Sequence, residues 1–442
     1  MSELHLEPEP GPAAEAGGGR GPRSAAVGDL LAAQARLKRA GGKRGGSLFK
    51  IGLAALLGAM GYFAYTAHAP DPMRLYLGLA IFFCSALPAL LWAKRARFGL
   101  PLFEAFMLPG INTYAIPLLS GHQSFTVYEN SVINTASAGV LFFQVVALIT
   151  FYQVTTKPKR TKFWTESIIS QEASKVLGWG MIVCTVYSFA FEFTTWIPNA
   201  ILPEVRAACY GIGIIATFVQ CRRWGQNDLP YHEKAIFIVQ LVLQIIFTWA
   251  SLFLVQGVSI LLLGLLGYVS GSKRLPVVLL LVAAPLIVVL FNGKGTMRVK
   301  YWENHAPAPT VADLPAYFTE WFNDGLAIGN QTTGDKPMGV LDRTSLIQMM
   351  CLVVKISPDE KPYMMGTTYF QIPGQFVPRI LWPGKPPGLI STFTLCIYYG
   401  LQSEEETSGT TIGFGMLPEA YANFGFVGLG MLGIFMALVF NK

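Results

Sequence analysis

The feature that most constrains this chain is the run from residue 235 to residue 270, which holds 36 residues without a charge. A membrane-crossing helix needs about 20 apolar residues, so a run this long holds two, turned back on each other. Ser251 to Gln256 is the interval at which it divides. Other runs of spanning length recur along the chain; 52% of the residues are hydrophobic and only 13% are charged. A soluble domain carries about 25% charged residues. The sequence therefore predicts an all-α polytopic integral membrane protein. About ten transmembrane helices are expected, with one large extracytoplasmic loop carrying short helices.

The basic residues give the expected topology. Clusters at 43–44, 94–97, 157–162, 222–223 and 273–274 fall at alternate ends of successive apolar runs. All then lie on one side, which the positive-inside rule makes cytoplasmic. Residues 99–120, interrupted by Pro101, Pro109, Gly110 and Pro117, read as a kinked span. The net charge of +7 is accounted for by these clusters and calls for no nucleic acid. Four segments follow. Residues 1–46 are too poor in apolar surface to fold alone and form a disordered cytoplasmic tail. Residues 47–291 are a membrane domain of about nine spans. Residues 292–412 are a large periplasmic loop, and 413–442 hold a re-entry motif and the last span, from about Phe426 to Phe440. The expected location is the bacterial inner membrane, multi-pass, with the N-terminus in the cytoplasm.

The 292–412 loop carries eleven acids against nine bases, unlike a cationic cytoplasmic loop. Pro, Gly, Trp, Arg and Lys crowd together in it, and backbone this irregular cannot face lipid. Thr344 to Ile356 has helical spacing with Asp342 placed to cap it. Leu389 to Tyr399 is a second apolar piece too short to span. Cys351 and Cys396 share the loop and could pair as a disulfide.

The sequence has no phosphate-binding glycine loop, nucleophile elbow, zinc-binding His pair or paired-carboxylate cluster. Nothing in it demands a metal or a cofactor. What remains is a group of cations. Lys294 and Arg298 are four residues apart, on one face of any continued helix. Arg343 precedes the Thr344–Ile356 helix, and Arg379 and Lys385 flank Trp382 in a proline-rich stretch. Guanidinium forks suit phosphate oxygens and would stabilise a departing diphosphate. The plainer reading of Lys294 and Arg298 is anchoring at the lipid headgroups. Glu419, ahead of the candidate substrate-binding residues Tyr421 and Asn423, stands where the chain re-enters the bilayer, as a general base, a helix cap or a partner for one of the arginines. Tyr369 and Trp382 could stack on sugar faces or simply populate the interface.

Together these residues resemble a known pattern. Arg343 with its apolar helix, Pro358, Gly366-Thr367-Thr368-Tyr369, the Pro378–Pro386 stretch and Glu419-Ala420-Tyr421-Ala422-Asn423-Phe424-Gly425 are similar to bacterial oligosaccharide repeat-unit polymerases, the Wzy-like group. The resemblance covers about 340–430. It implies a membrane glycosyltransferase of O-antigen or exopolysaccharide synthesis, working without metal at the periplasmic face. The growing glycan would leave undecaprenyl diphosphate for a sugar hydroxyl of the next lipid-linked unit. The cations would hold the diphosphate, and Glu419 or Asp342 would activate the hydroxyl. Membrane lipids and a chain-length regulator or export machinery are the implied partners. Members of the group commonly carry further spans beyond the point at which this chain ends. An O-antigen-type ligase and a lipid-linked oligosaccharide transporter are the alternatives. A transporter should show internal repeats, and none is visible.

Overall fold

The computed structural model describes residues 46–67, 71–94, 101–154, 171–194, 202–304, 306–329, 344–377, 381–408 and 411–441. Residues 1–45 of the expected tail, the 157–162 cluster, Asp342, Arg343 and Arg379 lie outside them. The described chain is helical with no strand. Its principal helices are α1 (Gly46–Thr66), α2 (Pro72–Lys94), α3 (Leu102–Ser120), α4 (Asn130–Val154), α5 (Gln171–Phe193), α6 (Leu202–Gln226) and α7 (Tyr231–Ala250). They continue with α8 (Leu254–Ser272), α9 (Val277–Arg298), α10 (Leu314–Gly329), α11 (Ile347–Ile356), α12 (Ile390–Tyr398) and α13 (Met416–Phe440).

Nine helices among the described residues are long and apolar enough to cross a membrane: α1 to α5, α7 to α9 and α13. α6 is equally long but carries Glu204, Arg206, Arg222 and Arg223, and does not belong to that set by composition. The uncharged 235–270 run does divide in two, with α7 ending at Ala250 and α8 starting at Leu254. Residues 102–120 form one helical passage containing a π turn at Ile111–Ala115. Its Gly110 lies against a buried hydrogen bond from Gln144 Nε2 to Ser85 Oγ (2.8 Å). On α9, Val278 is 77% and Leu281 is 70% exposed, surface that belongs in lipid.

Two helix groups share the work. In one, α13 lies along α4, which packs on α2, while α11 covers both α4 and α13. Ile81, Leu118, Val140, Met350 and Leu429 fill this core. In the other, α5 to α8 pack together, and Gln244 Nε2 of α7 donates to Thr185 Oγ1 of α5 (3.3 Å) across a buried polar seam. Glycines bring α6 and α8 to backbone contact there, as small residues do between helices in lipid. A Cβ on Gly267 would stand 2.5 Å from the carbonyl oxygen of Phe218, and one on Gly271 would stand 2.2 Å from that of Arg222. Neither backbone can move without parting the pair. Gly267→Ala is therefore expected to destabilise the protein by about 1–3 kcal/mol, read as an earlier thermal unfolding midpoint in detergent.

Three expectations are corrected. Residues 292–303, assigned to the polar loop, are helical: α9 runs to Arg298 and a π turn follows at Val299–Glu303. The charges ride the helix with their heads over aromatic rings, the Lys294 ammonium over Phe291 and the Arg298 guanidinium over Trp302 (4.2 Å). The second concerns the capping of the Thr344–Ile356 piece. Its helix begins at Ile347, fixed by a hydrogen bond from the Leu346 N–H to the Thr113 carbonyl (3.1 Å) rather than by a side-chain cap. Third, Cys351 and Cys396 are free thiols. Burial pushes the Cys351 thiol up to about 12, against the opposing influence of nearby Arg74.

Candidate functional site

α13 is broken inside. At Gly425 the backbone takes φ 60° and ψ −142°, outside helical values. A break strands the carbonyls of the preceding turn, whose partners should have been N–H groups four residues on. Here the loop supplies replacements. The Met364 N–H donates to the Ala422 carbonyl (3.0 Å) and the Met365 N–H to that of Asn423 (3.1 Å). Two motifs some fifty residues apart in sequence are thus hydrogen-bonded side by side.

Asn423, fully buried, fastens the junction. Its Oδ1 accepts from the Gly366 N–H (3.0 Å). Its Nδ2 donates to Thr368 Oγ1 (2.9 Å) and to the Glu419 main-chain carbonyl (2.8 Å). Both amide hydrogens and the carbonyl oxygen are thereby used inside the protein, so Asn423 acts on the site through Thr368 and the Glu419 turn. Thr368, also buried, places its hydroxyl beside the Glu419 side chain, which is half-buried. Tyr369 stands beside it, stacked on Phe424 with ring centroids 6.2 Å apart. Burial, aided by the Glu419 charge, pushes the Tyr369 phenol up, so it remains a neutral O–H donor at neutral pH. A carboxylate held by a threonine hydroxyl, next to a protonated phenol, can accept a proton from an approaching hydroxyl and donate a hydrogen bond to an adjacent oxygen.

The structure sorts the other expected residues. Tyr421 is buried against Tyr363 and Phe426 and serves packing. Lys385 donates from Nζ to the carbonyls of Gln375 (2.6 Å) and Val377 (2.8 Å), closing the proline-rich loop on itself. Trp382 covers Gly374 in the same loop and is 43% exposed. Loop and site are tied by Ser391, at the start of α12, whose hydroxyl donates to the Thr368 carbonyl (3.1 Å). Lys294 and Arg298 are placed elsewhere: Arg298 Nη2 donates to the Leu252 carbonyl (3.2 Å) at the α7–α8 turn. Arg343 and Arg379 fall outside the described residues.

One cation was passed over in the sequence. Arg74, in the first turn of α2, is 4% exposed, and its guanidinium lies 4.1 Å from the Phe125 ring centroid. Its Nε and Nη2 have no hydrogen-bond partner among the described residues. The available signal was its place at the end of the second apolar run opposite the 94–97 cluster.

Fold and site define an all-helical, membrane-embedded protein with a candidate site at the junction of a loop and a broken helix. Residues 211–439, just over half of the chain, match the family described as a domain of unknown function (DUF8712), and the chain belongs to that family. No curated protein and no solved structure matches it. The matched stretch begins within α6 and includes the broken α13 and the loop packed against it.

Proposed function

We propose that this protein polymerises undecaprenyl-diphosphate-linked oligosaccharide repeat units into a surface polysaccharide or exopolysaccharide, by metal-independent glycosyl transfer at the periplasmic face of the bacterial inner membrane. The observation that carries this reading is the junction itself. The break at Gly425 and the 363–369 segment set Glu419, Thr368 and Tyr369 together where α13 leaves its lipid-facing stretch. Glu419 takes the proton of the acceptor sugar hydroxyl as that oxygen attacks the anomeric carbon, and the diphosphate leaves with the bonding electrons of the broken C–O bond. Arg343 and Arg379 are assigned to the diphosphate, where bidentate guanidinium contacts offset the developing charge. Tyr369 donates to a substrate oxygen.

Reconstitution tests the reading. Purified protein in nanodiscs, given lipid-linked repeat units and EDTA but no nucleotide, should produce a ladder of glycans. Thr368→Val, which keeps shape but removes the hydroxyl beside Glu419 and strands the buried Asn423 Nδ2 donor, should slow the ladder about tenfold and lower the unfolding midpoint. Absence of a ladder from folded wild-type protein, with units confirmed as competent, would discard the proposal. Transfer of a single unit to a foreign acceptor would move it to a ligase.

A further inference from the structure

The loop that follows Tyr369 has an unusual surface. Phe370 and Phe376 are each 83% exposed and Leu381 is 76% exposed; Ile372, Trp382 and Leu389 are exposed beside them in sequence. Soluble surfaces rarely gather so much bare aromatic and aliphatic area. Its described residues are nevertheless tied to one another. Lys385 clasps residues 375 and 377, Trp382 lies on Gly374, and Ser391 joins Gln371 through Oε1 (3.0 Å). These contacts join 370–377 to 381–391, the two described stretches that carry the exposed side chains.

The position of the loop supplies the partner. It is pinned to α13 through Met364, Met365 and Gly366, at the turn 419–423. Immediately past the break, Phe426 is 40% and Val427 is 69% exposed, within the run of α13 apolar enough to cross a membrane. Only three residues, the Gly425 break among them, lie between Asn423 and Val427. The root of the loop, at 364–366, is therefore fastened next to the point where the lipid-facing surface of α13 begins. Trp382 and the Lys385 ammonium, with its long alkyl stem, are residue types suited to that boundary.

We propose that this loop is a membrane-dipping lip, whose Phe370, Phe376 and Leu381 insert into the acyl edge of the leaflet next to the Gly425 break. The occupant of the apolar face is bilayer lipid. The inference goes beyond the glycosyl-transfer reading and does not depend on it, because it concerns where the loop lies and not what the site does. The lip sets the mouth of the Glu419 site level with the membrane surface, so a lipid-borne molecule can reach it by sideways diffusion.

Spin labels decide the matter. Phe370→Cys, Phe376→Cys and Leu381→Cys would be labelled singly in a Cys84→Ala background, since the other five cysteines are buried thiols. The full-length protein would be placed in phosphatidylcholine–phosphatidylglycerol nanodiscs. Relaxation by oxygen and by a water-soluble nickel chelate would be compared with labels at Val427→Cys, in lipid, and Glu405→Cys, in water. Three positions keep the test open if one variant fails to fold. The expected result is an oxygen-to-nickel accessibility ratio at the loop that matches Val427 and exceeds Glu405 severalfold. Free access of nickel would put the loop in water, and exclusion of both reagents would put it under protein; either result overturns the proposal.

Discussion

Glu419→Gln is expected to abolish glycan elongation in reconstituted protein while leaving the fold intact. Glutamine keeps the shape of glutamate, and its amide oxygen can still accept the Thr368 hydroxyl. What is lost is the negative charge and the capacity to take up a proton. General-base catalysis contributes about 10²–10⁴ in rate, so elongation should fall at least about 100-fold. The partners of Asn423 do not involve the Glu419 carboxylate, only its main-chain carbonyl, so the junction should survive. An unchanged unfolding midpoint and unchanged capture of lipid-linked donor would show that the defect is chemical. Elongation at the wild-type rate would remove Glu419 from the reaction and leave it as a hydrogen-bond partner of Thr368. The contrast with Thr368→Val matters: a residue that positions the base should cost less than the base itself.

Much of this architecture was legible in the sequence because lipid imposes length and polarity on a helix. The division of the 235–270 run, the kinked passage through Pro109 and Gly110 and the short helix at 390–398 all follow from apolar length and breaker residues. Charges were a weaker guide. Lys294 and Arg298 suggested that the polar loop had begun, but their charged heads lie over aromatic rings of the continuing helix. α10 was missed altogether, although Thr310 and Asp313 form the capping box ahead of it: the Thr310 N–H and hydroxyl both donate to Asp313 Oδ2, at 3.0 and 2.6 Å.

The candidate site was legible as two motifs and not as one place. Gly366-Thr367-Thr368-Tyr369 and Glu419–Gly425 could each be read, yet nothing in either says that they pair. Their pairing depends on carbonyls that become free only when α13 breaks, and a helix break is a tertiary event at a residue that tolerates it. For the same reason Asn423 looked like a ligand. Its three hydrogen bonds reach residues up to 57 positions away, which no local pattern encodes. Tyr421 is likewise placed by tertiary packing, buried against Tyr363 and Phe426 one turn from the helix break.

Gly425→Ala is expected to be the most destabilising single substitution at the site. The φ of 60° with ψ of −142° lies where side chains are not accommodated, and only glycine adopts it without strain. Space is missing as well: a Cβ there would lie 2.7 Å from Tyr363 Oη. Tyr363 packs on Tyr421 with ring centroids 6.0 Å apart, so the phenol can shift only by disturbing the wall of the junction. Backbone strain of about 1–3 kcal/mol and overpacking of similar size act together. A loss of about 3 kcal/mol or more is the expected result. The alanine protein has one way to relieve this, which is to let α13 run straight through residue 425. A straight helix would reclaim the carbonyls of Ala422 and Asn423 and release Met364 and Met365. The prediction therefore has two readouts, a lowered unfolding midpoint and faster amide hydrogen exchange confined to 363–369. Exchange there as slow as in the wild type would mean that the loop holds its place without the break, and the site would then owe its geometry to Asn423 alone.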